Sequence, residues 1–173
     1  LLLKLQYYYF DKAVLDTLQF DLIQTKSHII LISQNPEILI SAFSTILNKA
    51  NFSDLLYLFL QNLLNHNFVH LTYFESQMLE LDDIITNGKF DNFKQLSHYK
   101  KDCLITTKET RILRYIESDP VLTEQSTLTK HQIQHLASLT RNIYEYATHL
   151  VEYSTHLVNT YNGIVNEKTN STI

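Results

Sequence analysis

Residues 126–173 read STLTKHQIQHLASLTRNIYEYATHLVEYSTHLVNTYNGIVNEKTNSTI, and the reading of this stretch decides the architecture. Every seventh residue from Leu136 is apolar, giving the column Leu136, Ile143, Leu150, Leu157 and Ile164. A second column, offset by three, holds Leu139, Tyr146 and Tyr153 and turns polar at Thr160. Apolar residues alternating three and four apart mark one face of a long helix. No proline interrupts the stretch, and its one glycine, Gly163, sits near the far end. A helix of about 40 residues is roughly 60 Å long, twice the width of a small domain, so it is expected to project beyond its own core. Tyrosines in the second column fit a broad contact better than a tight two-stranded zipper, which favours aliphatic residues there. Two readings follow: a long helix packed on its own domain, or a stalk that assembles with copies of itself.

Upstream of this helix the pattern changes from strands to helices. Leu1 to Tyr9 reads as a strand, with a turn at Phe10-Asp11-Lys12 and a short helix or bend over Ala13 to Asp16. Phe20 to Gln24 alternates as a half-buried strand, and Thr25-Lys26-Ser27 reads as a tight turn without the usual glycine. His28 to Ser33 (HIILIS) is continuously apolar, as expected of a central strand. Asn35 caps a first helix with Pro36 at its first position and an apolar face of Ile38, Leu39, Ala42, Phe43, Ile46 and Leu47. Ser53 is the expected cap of a second, long helix from about Asp54 to Ile85, stopping at Asn87-Gly88. A third helix is expected from about Asp91 to Glu117, ended by Ser118-Asp119-Pro120. Its basic residues (Lys94, Lys100, Lys101, Lys108, Arg111, Arg114) oppose Glu75, Glu80, Asp82 and Asp83 on the second. The two should pack antiparallel, with those charges facing solvent or each other. A few strands followed by long helices is an α+β plan, divided as an α/β domain over residues 1–125 and a stalk over residues 126–173.

Composition narrows the function. Hydrophobic residues make up 45% of the 173 and charged residues 18%, the balance of a globular chain. A net charge of −4 and the lack of any Lys/Arg run argue against a nucleic-acid partner. The one cysteine, Cys103, cannot form an intrachain disulfide, which favours a reducing cytosolic setting. The longest apolar run, Leu55 to Leu64, is broken by Gln61 and Asn62, so no membrane span is expected in these residues. The start at Leu1-Leu2-Leu3 and a helical pattern still running near Ile173 read as a piece of something longer.

Candidate chemistry is sparse. No glycine-rich phosphate loop and no suggestive Ser/His/Asp order is present, so no enzyme activity is expected. His66 and His70 are four apart, as are His131 and His135, and each pair puts two imidazoles on one helical face, half of a transition-metal site. Glu80, Asp82 and Asp83 are oxygen donors of the kind that attract Mg2+ or Ca2+. Set against both is the plainer reading of solvated or packing side chains.

Several stretches resemble the cytoplasmic domain of CorA-type magnesium transporters. Leu3-Lys4-Leu5 through Tyr9-Phe10-Asp11-Lys12 resembles the family's strand and Tyr-Asp turn, and FDLIQTKSHIILISQ (Phe20 to Gln34) its next hairpin. Asp54-Leu55-Leu56-Tyr57 to Asn67-Phe68 resembles the opening of its long helix. YNGIVNEKTN (Tyr161 to Asn170) is similar to the stalk just before the first membrane segment. The resemblance implies an α/β/α sandwich, here truncated at its N-terminus, with a small sheet, two long antiparallel helices and a long C-terminal stalk helix. It also implies a homopentamer whose stalks surround an ion path, closed by Mg2+ held between subunits. In that picture the full-length protein sits in the cell membrane through helices after Ile173, with this domain on the cytoplasmic side.

The departures from the family are specific. The pore signature Gly-Met-Asn does not occur in these residues. Two of the family's inter-subunit Mg2+-site carboxylates fall on Gln61 and His135, and a lower stalk aspartate falls on Asn159. The metal candidates are therefore His131, His135, Gln61 and Asn159, with Asn170 at the pore mouth. Neutral groups there weaken Mg2+ sensing, and His135 beside His131 suits Zn2+, Co2+ or Ni2+ better. The resulting expectation is a regulatory domain of a CorA-like transporter of Mg2+, or of Co2+, Ni2+ or Zn2+, gating the pore through its stalk. The alternative is a freestanding helical interaction or scaffold domain.

Overall fold

The computed structural model describes residues 1–11, 14–49, 51–87, 93–113, 118 and 120–171. Three strands, β1 (Leu2–Asp11), β2 (Val14–Gln24) and β3 (Ile29–Ser33), form an antiparallel sheet in the order β1-β2-β3. Five helices follow: α1 (Pro36–Lys49), α2 (Phe52–Thr86), α3 (Phe93–Leu113), α4 (Pro120–Gln125) and α5 (Lys130–Ser171). This is the α+β class.

The sheet departs from expectation at its first turn and at β3, while the Thr25-Lys26-Ser27 turn falls where expected. Phe10 and Asp11 do not turn but pair with Leu15 and Val14, and Val14 to Asp16 are strand rather than helix or bend. The hairpin register extends both strands, and Lys12 and Ala13 lie outside the described residues. The glycine-free turn closes through Thr25, whose N–H donates to the His28 carbonyl at 2.8 Å. The Thr25 hydroxyl oxygen in turn accepts the His28 N–H at 3.0 Å, a side-chain substitute for a special backbone geometry. β3 is at the sheet edge rather than its centre, so Ile30 and Ile32 are 45% and 53% exposed despite the apolar run.

Period-two alternation sends Leu5, Tyr7, Leu18, Phe20 and Leu22 to one face of the sheet, where they are buried. Leu39 and Phe43 of α1 and Phe59 of α2 complete this cluster, with the Phe43 and Phe59 ring centroids 4.2 Å apart. Ala42 and Leu47, expected on the apolar face of α1, are exposed. Lys4 and Asp21 form an ion pair on the opposite sheet face at 3.5 Å. Among the described residues, the helices cover the Leu5–Phe20 face alone.

Helix boundaries follow local capping. Asn51, not Ser53, is the N-cap of α2, and it makes no side-chain cap bond. Asn87 ends α2, its Nδ2 and backbone N–H both donating to the Asp83 carbonyl, at 2.7 and 3.1 Å. Gly88 lies outside the described residues. Helix α3 is described over Phe93–Leu113, its expected ends at Asp91 and Glu117 lie outside the described residues, and Pro120 opens the separate α4 where a simple break was expected. Thr129 and Gln132 form a reciprocal capping box, which starts α5 at Lys130 rather than Ser126.

Helix α5 runs for 42 residues, parallel to α2, with α3 folded back beside both. The parallel course is set by Gln132–Asp54, Tyr57–His135, Tyr146–Glu75 and Tyr153–Asp82, which climb both helices together. Leu136, Ile143, Leu150 and Leu157 are at most 2% exposed, so the apolar column is consumed within this chain. Ile164, the last member, is half-buried. A parallel column of small residues, Thr140, Ala147 and Ser154, is also buried and leaves room for a close neighbour. The hydroxyls of Thr140 and Ser154 donate to the Leu136 and Val151 carbonyls, so neither is left unsatisfied. Beyond Leu157 no residue of α5 is fully buried, Val158, Tyr161 and Ile164 still pack against the core, and the exposed end from Val165 to Ser171 is about 10 Å long.

Leu150→Ala is expected to destabilise the chain by about 2–5 kcal/mol, because it empties a fully buried site in this seam. Gly163, in open space near the end of α5, gives the opposite sign. Gly163→Ala is expected to stabilise by about 0.5–1 kcal/mol through helix propensity alone. Urea unfolding of both variants checks these two values.

Candidate functional site

A repeated polar feature joins α2 to α5. The Tyr146 hydroxyl donates to Glu75 Oε2 at 2.5 Å, and the Tyr153 hydroxyl donates to Asp82 Oδ2 at 2.9 Å. Both donors and both acceptors are seven residues apart, so the two bonds are rungs of one heptad ladder. Burial pushes the Tyr153 phenol up to about 12, helped by its bond to Asp82 and that carboxylate's charge. Burial followed by Glu75 raises Tyr146 further still. Glu75 and Asp82 thus engage α5 tyrosines, which was neither of the two expected arrangements, solvent or the basic residues of α3. A cation at Asp82 would share its carboxylate with a phenol. Glu80 and Asp83 are exposed, and Glu80 accepts a 3.4 Å bond from Gln77.

The sequence-derived metal candidates do not converge. His131 is exposed in the first turn of α5. His135 is half-buried, and its Nδ1 shares a 3.0 Å hydrogen bond with the Tyr57 hydroxyl. Gln61 is half-buried one helical turn beyond Tyr57. Asn159 is exposed and lies about 36 Å along α5 from His135, and Asn170, also exposed, about 16 Å further. Among the described residues, no three His, Cys, Asp or Glu side chains gather closely enough to hold a metal. A neutral amide and an imidazole already bound to a phenol do not suit Mg2+, which favours carboxylate and water oxygens. The other histidine pair, His66 and His70, does converge, with the two Nε2 atoms 2.9 Å apart.

Two features went unread in the sequence. One is an exposed stripe on α5, Glu145, His149, Glu152 and His156, with each histidine four residues after a glutamate. Its signal was available as a 4-3-4 spacing opposite the apolar columns. The other is a groove of about 450 Å3 between α4 and α5, lined by Thr123, Leu128, Lys130, Ile133 and Gln134. Among the described residues its lining holds no carboxylate. Cys103 is fully buried, and burial followed by the Asp102 charge pushes its thiol up to about 12.

No protein-family model matches this sequence, and no curated protein does. Among solved structures, the complete structure of the CorA magnesium transporter from Methanocaldococcus jannaschii matches 98% of this chain, with a TM-score of 0.68. The fold is CorA-like. Sequence identity over the match is 17%, so the likeness is one of fold. This chain spans 57% of that transporter's length. No helix among the described residues is long and apolar enough to cross a membrane.

The tyrosine ladder has a pH signature. The folded state holds these phenol protons more tightly than the unfolded chain does. Its contribution is therefore complete below about pH 10 and lost as pH rises through about 12. Tyr153→Phe should flatten this alkaline loss, and destabilise by about 1–2 kcal/mol at neutral pH, read by urea titration at several pH values. Cys103 is expected to resist thiol reagents in the native chain and to react fully once denatured, as a colorimetric thiol assay would show.

Proposed function

We propose that this chain is the regulatory domain of a CorA-like divalent-cation transporter, coupled to a pore through α5. The observation that carries the reading is the fold match, which runs through nearly the whole chain in order and includes the long terminal helix. The cargo is Mg2+, or a later divalent ion such as Co2+, Ni2+ or Zn2+, and the domain itself is not an enzyme. The full-length protein would sit in the cell membrane through helices after Ile173, with this domain on the cytoplasmic side and five copies around the ion path.

The buried column constrains how copies would meet. Leu136, Ile143, Leu150 and Leu157 are occupied by packing against the chain's own core, so contacts between copies fall to the outer face of α5 and its projecting end. That face carries Glu145, Glu152 and Asn159 at heptad spacing, all exposed. Around an axis, each level would gather one such group from every copy. Like charges at the glutamate levels repel unless a hydrated cation lies between them, so cation binding would hold the helices together and its loss would let them splay. Gln61, His135 and Asn159 contribute neutral donors, which predicts a weaker Mg2+ response than a carboxylate set would give.

The gene beyond the Ile173 codon is the first check. Two apolar segments of about 20 residues with Gly-Met-Asn between them support the transporter reading. A continuing polar chain or an immediate stop codon overturns it in favour of a freestanding interaction domain. On the protein itself, millimolar Mg2+ should raise the sedimentation coefficient, a chelator should reverse the rise, and Glu152→Gln should reduce it. A coefficient indifferent to every divalent ion would count against cation-dependent association.

A further inference from the structure

Inside the chain, away from the outer face of α5, His66 and His70 point their Nε2 atoms at each other across one turn of α2. The atoms are 2.9 Å apart and the rings stand at 82°, with centroids separated by 4.4 Å. Neither ring is loosely held. Tyr7 of β1 stacks on His66 at 4.6 Å and 14°, and Tyr7 is itself packed against Phe43 at 5.6 Å. His70 is 2% exposed, while His66 is half-buried.

We propose that His66 and His70 form a two-imidazole binding site for a late first-row divalent transition ion. The spacing argues for it. Two metal–nitrogen bonds of about 2.05 Å at a right angle separate their nitrogens by about 2.9 Å, whereas a tetrahedral angle separates them by about 3.3 Å. The separation present fits adjacent corners of an octahedral or square-planar ion, the geometries of Ni2+, Co2+ and Cu2+, and asks zinc to widen the pair by a few tenths of an ångström. One Nε2 carries the proton of the present hydrogen bond. Moving that proton to Nδ1 of the same ring frees both lone pairs without changing the charge of the site. Water fills the remaining coordination positions, since no third His, Cys, Asp or Glu gathers there among the described residues. Two neutral nitrogen donors exclude Mg2+ and Ca2+, which take oxygen ligands. Preorganisation by Tyr7 and by burial removes most of the side-chain entropy cost that an exposed i, i+4 histidine pair meets on binding. The site does not depend on the transporter reading, and it ties α2 to the sheet rather than to α5.

The test titrates the tag-free full chain with Ni2+ alone by calorimetry. The expected result is one ion per chain with micromolar affinity, unaffected by millimolar Mg2+. It should weaken at least tenfold in His66→Ala and in His66→Gln and be retained in His131→Ala. Unchanged affinity in both His66 variants, or loss in His131→Ala, would overturn the site. A measurement on the unaltered chain guards against misfolded variants. Substoichiometric Co2+ should broaden the imidazole proton resonances of His66 and His70 before those of any other histidine. Earlier broadening at His131, His149 or His156 would place the ion elsewhere.

Discussion

Burial of one helix face inside its own chain is the constraint on which the rest of the structure depends. An apolar column on a 42-residue helix has to be removed from water, and α2 and α3 supply the surface that does it. Fully burying a leucine or isoleucine is worth about 1.5–3 kcal/mol, so four such residues outweigh any polar term in the seam. Parallel packing of α5 on α2 follows from this contact, and the sheet is secured through the other face of α2 by Phe59 and its partners.

The same packing decides which polar groups are available for function. Tyrosines in the second column end beside Glu75 and Asp82 and engage them, because a phenol reaching the margin of a core needs an acceptor. Two carboxylates that look like free surface in the sequence are thereby held by hydrogen bonds. The outer face of α5 keeps its charge, with Glu145 and Glu152 exposed there. The stripe lies beside the ladder, about a quarter-turn around the helix, so the residues that hold the domain together are distinct from those left exposed.

The CorA-like fold and the modest identity are consistent with this division. A fold of this kind survives wide sequence change as long as apolar periodicity and the long helix persist, since hydrophobic residues of about the right size suffice to fill a core. Individual cation ligands are less protected, because exchanging a carboxylate for an amide or imidazole costs little stability at a half-exposed position.

Periodicity alone was enough to read the long terminal helix, its buried column, the α1 start at Pro36 and the α+β order of elements, because these depend on neighbours three, four or two residues away. The capping box at Thr129 and Gln132 was equally local and equally legible, though it was overlooked in favour of Ser126. Tertiary contacts decided the rest. HIILIS is as apolar as a central strand, yet its place at the sheet edge depends on which strands pair beside it. Four-residue spacing is identical for His66–His70 and His131–His135, yet one pair is clamped by a tyrosine from β1 while the other is divided between solvent and Tyr57. Sequence spacing determines which residues share a helical face. What covers that face is set by segments tens of residues away, whose approach is governed by long-range packing that no local pattern records.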